Sequence, residues 1–345
     1  MKEALLGKTL NELQLVVKDL GMPTFTAKQI ANWIYQKSIS SIDDMQNISL
    51  QNRGKLKEKY VTGFSAHTQV QSSKDGTKKY LFAALDKKFI EAAYIPENTR
   101  ATLCVSSQVG CKMACLFCMT GKQGFQGNLS AGEIINQILS LPEKDTLTNI
   151  VYMGMGEPFD NTEEVLKSLE ILTAPWGLAM SPRRITLSTI GILPGMKEFL
   201  DKSECHLAIS LHIPFDEDRK KLMPIQNVYP ISEIIQTIKK WDWSKQRRVS
   251  MEYIMFKGLN DTEKNVRELI RLLSGIKCRV NLIKFHPIPD TPLRASEPEV
   301  MEYFRDALSA KGITSTIRRS RGEDISAACG LLSTKSITES KGKDF

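Results

Sequence analysis

"TLCVSSQVGCKMACLFCM", residues 102–119, sets a short apolar run directly before three cysteines, Cys111, Cys115 and Cys118, at C-x3-C-x2-C spacing. The run is the first of a series. Downstream, "NIVYMGM", "RITLST", "HLAISL", "VSMEYIM" and "RVNLIKF" are each short, apolar and β-branched. Between them lie stretches of helical period: "SAGEIINQILSL", opened by a Ser130/Glu133 capping box, then "TEEVLKSLEIL", "LPGMKEFLDK", "ISEIIQTIKKW" and "TEKNVRELIRLL". A last helix, "EPEVMEYFRDALSAKG", leads to one more strand, "TSTIRR". Repeated strand–helix units predict a parallel sheet covered by helices, and six strands, counting "TLCVSSQ", are too few for a closed eight-stranded barrel. Chemistry in such folds sits on loops at the carboxyl ends of the strands, so the cysteine triplet lies at the active end.

Two regions precede this core. Residues 1–60 read as helical, through "LNELQLVVKDLG", "FTAKQIANWIYQK" and the polar, basic "SLQNRGKLKEKY". With Trp33, Tyr35 and Tyr60 among its lysines, this module is expected to pack around Trp33 and to serve as an RNA-docking element. "KKYLFAALDKKFIEAAYI", residues 78–95, predicts a hairpin around "LDKK". The expected organisation is therefore a helical module over 1–75, a hairpin connection over 76–96, a barrel core over 97–325 and a C-terminal segment over 326–345.

Composition narrows the chemistry. The 345 residues are 41% apolar and 25% charged, with a net charge of +8. No apolar run reaches membrane-spanning length, and "MKEALLGKTLNELQLVV" lacks a signal-peptide layout. A cytoplasmic setting is expected, where seven cysteines point to metal or redox chemistry before disulfides. The positive charge favours an anionic partner, nucleic acid first, with basic residues grouped at Lys78/Lys79, Lys87/Lys88, Arg183/Arg184, Arg247/Arg248 and Arg318/Arg319 with Arg321. Three thiolates alone do not close a structural zinc site, and the nearest further cysteine, Cys104, lies seven residues before Cys111. An iron–sulfur cubane held by three cysteines keeps one iron open for another ligand.

With Phe117 just before its last cysteine, the triplet resembles the signature of radical S-adenosylmethionine (SAM) enzymes, whose partial (β/α)6 barrel agrees with the strand count. The resemblance implies that Cys111, Cys115 and Cys118 hold a [4Fe–4S] cluster whose open iron binds the amino and carboxylate groups of SAM. One electron then cleaves SAM to a 5′-deoxyadenosyl radical. "RATLCVSSQVGCKMACLFCMTGKQGF", "MGMGEP", "SPRRITLSTIG", "AISLH", "KLMPI" and "RGEDISAACG", in order from about residue 91 to 331, are together similar to the hallmarks of RlmN-type adenosine C2 methyltransferases of 23S rRNA and tRNA.

That resemblance implies further roles. Gly156 and Glu157 contact the methionine part of SAM, and Ser188, Ser210, Leu211 and His212, at strand ends, complete its site. His286 stands where the family commonly has Asn and is expected to contact SAM as well. Cys329 carries a methyl group taken from one SAM, and a second SAM supplies the radical that activates it toward adenine C2. Cys104 resolves the adduct through a transient disulfide with Cys329, and Glu91 is the proton acceptor, although alone it reads as a surface residue of the hairpin. The implied partners are 23S rRNA, tRNA and an electron-donating reductase, with no membrane and a monomeric enzyme. Cys205 and Cys278 match no motif. The rivals are a Cfr-like C8 methyltransferase, a radical SAM enzyme of small molecules and a zinc-dependent RNA-binding protein. The retained Glu157–Pro158 and Arg321–Gly322–Glu323–Asp324 favour C2 over C8, and the charge, the helical module and the Cys104/Cys329 pair disfavour a small substrate.

Overall fold

The computed structural model describes residues 2–84, 87–244, 248–332 and 334; Leu85 and Asp86 of the "LDKK" stretch, Arg247 and the residues from 335 lie outside the described residues. In the N-terminal module, β1 (Glu3–Ala4) pairs in parallel with β2 (Tyr60–Val61), tying the ends of a unit made of α1 (Leu10–Asp19), α2 (Thr26–Ala31) and α3 (Leu50–Lys59). Thr9 and Glu12 form a reciprocal capping box that starts α1. After α2 the chain widens into a π turn over Asn32–Gln36 that buries Ile34 and Tyr35. Trp33, expected at the centre of the module, instead sits half-buried at its rim, with Lys37 Nζ 3.6 Å from its ring centroid.

The module does not stand apart. Leu13 and Ile30 belong to the same buried cluster as Ile134 and Leu169 of the main body. A Cβ on Gly7 would come within 2.3 Å of the Gly132 nitrogen, so the two backbones touch at a point where neither tolerates a side chain.

The main sheet has ten strands in the order β14-β13-β12-β11-β10-β9-β6-β5-β4-β3. Its antiparallel edge is β3 (Gln69–Ser72), β4 (Lys78–Ala84) and β5 (Lys88–Glu97), joined to β6 (Arg100–Cys104). The hairpin is thus a continuation of the barrel sheet, and Gln69–Ser72, placed by its sequence in the helical module, forms the edge strand. After β6, a small ribbon of β7 (Gln108–Val109) and β8 (Gly127–Asn128) brackets the cysteine loop and α4 (Met119–Gln123). Parallel pairing then runs through β9 (Asn149–Tyr152), β10 (Ile185–Thr189), β11 (His206–Ser210), β12 (Val249–Met255), β13 (Cys278–Lys284) and β14 (Thr314–Ile317). "TSTIRR" therefore adds a seventh parallel strand to the six counted above.

The intervening helices are α5 (Ala131–Leu139), α6 (Thr162–Thr173), α7 (Leu193–Lys202), α8 (Asp216–Leu222), α9 (Ile231–Lys240), α10 (Glu263–Leu273) and α11 (Pro298–Ala310). Helix α5 is buried nearly all round, whereas the other longer ones bury a single stripe. In α9 it is Ile231, Ile234, Ile235 and Ile238, each worth roughly 1.5–3 kcal/mol of burial. All seven residues of β12 are buried, as a strand covered on both faces requires. Among the described residues, no helix is long and apolar enough to cross a membrane.

Candidate active site at the carboxyl ends of the strands

Cys104 ends β6, Thr189 ends β10, Ser210 ends β11 and Lys284, two residues before His286, ends β13. The parallel arrangement thus delivers the expected site residues to one rim of the barrel. Cys111, Cys115 and Cys118 lie on a tight loop between β7 and α4. Ala114 adopts a left-handed φ of 50°, and a Cβ on Gly110 would overlap the Gly124 carbonyl oxygen at 1.6 Å. The Cys118 N–H donates to the Cys115 carbonyl at 3.1 Å. Burial, then the neighbouring thiols, pushes the Cys115 thiol well up, and burial pushes Cys111 up to about 12. Three thiols on one loop, two of them raised by burial, form a donor set that a cationic centre would complete by displacing their protons. Without a fourth protein ligand beside them in the sequence, they are the donor set of an iron–sulfur cluster with one open iron rather than of a closed zinc site.

Glu157 is buried beside this loop. Its carboxylate accepts from the Thr189 hydroxyl at 2.6 Å and from the N–H groups of Ile190 at 2.9 Å and Phe159 at 3.0 Å. Desolvation nevertheless wins, and the carboxyl is pushed up to about 7. A buried carboxyl in that condition suits a cationic amino group. Gly156, at φ 100°, has its open side against Gln108: a Cβ there would meet that residue's Cβ at 2.5 Å. Its missing side chain therefore serves the approach of the β9 loop to the cysteine loop.

His212 is held rigidly in a left-handed conformation at φ 51°. Its Nδ1 accepts from the Ile254 N–H at 3.1 Å, and its ring meets Phe117 edge-on at 5.1 Å. Burial, with Arg219 adding to it, pulls its pKa down to about 3, so the ring is neutral and carries its proton on Nε2. It can donate a hydrogen bond but does not act as an acid at neutral pH. Leu211 is fully buried, whereas Ser188 and Ser210 are half-buried at the rim. His286 Nε2 lies 3.0 Å from Ser320 Oγ, and its Nδ1 lies 3.7 Å from Glu323.

Cys104 packs with Ala93, Val151 and Ala327. Ala327 belongs to the segment that carries Cys329 back across the rim. The segment is anchored at both ends. On one side Ser73 donates to Asp324 at 2.6 Å and the Gly322 N–H to Asp75 at 3.0 Å. On the other, the Met119 N–H, next to Cys118, donates to the Gly330 carbonyl at 2.8 Å. Cys329 is exposed, and the charges within reach of it are Arg318, which favours its thiolate, and Glu252 and Cys118, which oppose it. Cys104 is raised by burial and feels Cys329 as well. Glu91 is buried, not on the surface, and its Oε1 lies 3.1 Å from Lys79 Nζ.

Sequence reasoning missed a polar row across the barrel. Ser210, Glu252, Asn281 and Thr316 are register partners on adjacent strands. Asn281 donates to Glu252 at 2.7 Å and accepts from Thr316 at 2.9 Å, and Arg318 Nη2 lies 3.7 Å from Glu252. The signal was there: Glu252 is a lone charge inside the apolar run "VSMEYIM".

The chain is similar to known proteins over nearly its whole length. The family model of the Radical SAM superfamily matches residues 105–273, and that of the ribosomal RNA large subunit methyltransferase N-terminal domain matches residues 4–61. A probable dual-specificity RNA methyltransferase RlmN of Parabacteroides distasonis is 58% identical over 338 residues, covering 98% of each chain. A dual-specificity RNA methyltransferase RlmN of Nitratiruptor is 43% identical, covering 96% of this chain and 98% of its own. The crystal structure of a radical SAM methyltransferase from Sphaerobacter thermophilus superposes with a TM-score of 0.89 at 39% identity, over 96% of this chain and 99% of that one.

Proposed function

Because the chain belongs to the RlmN family of radical SAM methyltransferases, we propose that it methylates C2 of an adenosine in 23S rRNA, and of the adenosine 3′ to the anticodon in tRNAs, by way of a methyl group carried on Cys329. The observation that supports the reading is that the segment of Cys329 lies between the other two groups: Ala327, two residues before it, packs on Cys104, and the carbonyl of Gly330, the next residue, accepts from the Met119 N–H beside Cys118.

In this reading Cys111, Cys115 and Cys118 hold the [4Fe–4S] cluster. Gly156, Glu157, Ser188, Ser210, Leu211, His212 and His286 hold SAM, with Glu157 taking the amino group and neutral His212 donating from Nε2. When bound, cluster and SAM supply the methyl group and the radical that activates it, so two SAM molecules serve each turnover.

The chain's own residues do the rest. Cys329 must ionise to accept a methyl group, and the nearby Arg318 guanidinium favours that thiolate. Its activated methyl carbon bonds to C2, which leaves the base joined to the protein through the Cys329 sulfur. Glu91, paired with Lys79, accepts the C2 proton. The electron left over from radical addition would go to the one-electron centre that supplied it. The Cys104 thiolate attacks the Cys329 sulfur and breaks its bond to the methylene carbon, which takes up a proton as the methylated base leaves. An external reductase reopens the resulting disulfide. The net charge of +8 supports an RNA partner.

The test separates the two thiols. Cys104→Ala should accept the methyl group, attack the base and stall, accumulating a nuclease-sensitive protein–RNA crosslink on a denaturing gel. Cys329→Ala should keep its cluster and form no crosslink. Normal turnover by Cys104→Ala, or a crosslink in Cys329→Ala, contradicts the reading.

A further inference from the structure

Helix α8, "DEDRKKL", has the sequence of a solvated charged turn, with three acids followed by three bases. Arg219 departs from it. The residue is 0% exposed and is the largest fully buried side chain in the described protein. Its guanidinium donates from Nε to the Leu211 carbonyl at 3.3 Å and from Nη1 to Gln226 Oε1 at 2.6 Å. Nη2 donates to the Ile190 carbonyl at 3.0 Å and the Ser210 carbonyl at 3.4 Å. One fork thus joins the end of β10 to the end of β11, the two strand ends that carry Ser188 and Ser210.

All four acceptors are neutral. The nearest carboxylate in this network is one step removed: Gln226 Nε2 donates to exposed Asp216 at 2.8 Å. A full positive charge in the interior without an adjoining counter-charge is costly, and a buried charge is normally paired. What α8 does adjoin is the cysteine loop. The Leu222 carbonyl, at the end of the helix, accepts from the Leu116 N–H at 3.0 Å, and Leu222 and Met223 pack with Cys115 and Phe117. Arg219 thus lies on the helix whose end is bonded to, and packed against, the cysteine loop. A [4Fe–4S] cluster on three thiolates is negatively charged, and more so when reduced.

We propose that Arg219 is a positioning residue of the radical site: its buried charge is the protein's counter-charge to the cluster, and its fork holds the ends of β10 and β11 in the register that binds SAM. The inference rests on the assignment of a cluster to Cys111, Cys115 and Cys118. A cation at this position stabilises the reduced, more negative cluster and so raises its reduction potential.

The experiment is an anaerobic redox titration of the full-length, cluster-loaded protein, followed by electron paramagnetic resonance, with iron content measured in parallel. Arg219→Gln removes the charge and should weaken one-electron uptake at least tenfold, about 59 mV. Arg219→Lys keeps the charge, loses the fork and should stay within that limit while binding SAM more weakly. A wild-type potential in iron-replete Arg219→Gln, or equal shifts in both variants, overturns the proposal. If Arg219→Gln does not hold its fold, Asp216→Asn decides. Removing the carboxylate relayed through Gln226 should raise the potential, while Glu217→Gln, an exposed acid outside the relay, should not. An unmoved potential in Asp216→Asn overturns the charge role. A wild-type protein that binds no cluster would instead contradict the cluster assignment itself.

Discussion

Lowering the pH should empty the SAM site through Glu157. Its carboxyl is raised from 4.5 to about 7 because burial outweighs three hydrogen bonds. Only the carboxylate attracts an ammonium group. About one pH unit below its pKa, roughly one carboxyl in ten is ionised, so SAM should bind about tenfold more weakly at pH 6 than at pH 8. Glu157→Gln should bind SAM weakly at both values and lose the slope. The same shift acts on the unliganded protein. A carboxyl with a raised folded pKa contributes stability that is complete below 4.5 and is lost as the pH rises through 7, an amount of roughly 3 kcal/mol. The glutamine variant should not show that decline. Its amide will place a donor against the Ile190 N–H, which costs about 1–3 kcal/mol and offsets part of the gain at high pH. Calorimetric titration of SAM into the cluster-loaded enzyme across pH 6–8, beside urea unfolding of the unliganded protein, reads both effects. A SAM affinity that is independent of pH, or an unchanged slope in Glu157→Gln, would refute the reasoning.

Cys111→Ala, Cys115→Ala and Cys118→Ala should each lose bound iron and SAM cleavage, because three ligands leave no redundancy; wild-type iron content in any one contradicts the ligand set. Lys79→Met should destabilise the protein by about 3 kcal/mol, since it strips a cation from buried Glu91, and a change below about 1 kcal/mol in urea unfolding would show that the pair is not a structural one. RNA affinity should fall steeply with added salt as phosphate counterions are released, and a flat dependence would mean that the +8 charge does not act through the backbone.

The barrel strands were legible because each is a short β-branched run and all but the last are followed by a stretch of helical period, two of these, at Ser130/Glu133 and Thr262/Asn265, opened by a capping box. The three cysteines of the candidate cluster site stand out by their spacing, whereas the other candidate site residues are singled out only by a pattern spread over the chain. What escaped notice did so for physical reasons. "QVQS" is exposed on both faces, so the edge strand β3 had no apolar alternation to announce it. Trp33 is displaced from the core by a π turn, a shift in helical phase that periodicity cannot foresee. Glu91 reads as superficial because a hairpin sequence does not show what its strands pair with, whereas β5 pairs with β6 and Glu91 is buried. Arg219 was hidden among Lys220 and Lys221: charge patterning does not reveal which member of a basic run turns inward.

The central claim is the identity of the product. Nucleosides from the 23S rRNA and tRNA of cells with and without this protein, resolved by liquid chromatography and tandem mass spectrometry, test it directly. The account predicts 2-methyladenosine that is present with the protein, absent without it, and not restored by a Cys329→Ala copy. Appearance of 8-methyladenosine in its place, or of no methylated adenosine that depends on the protein, would contradict it.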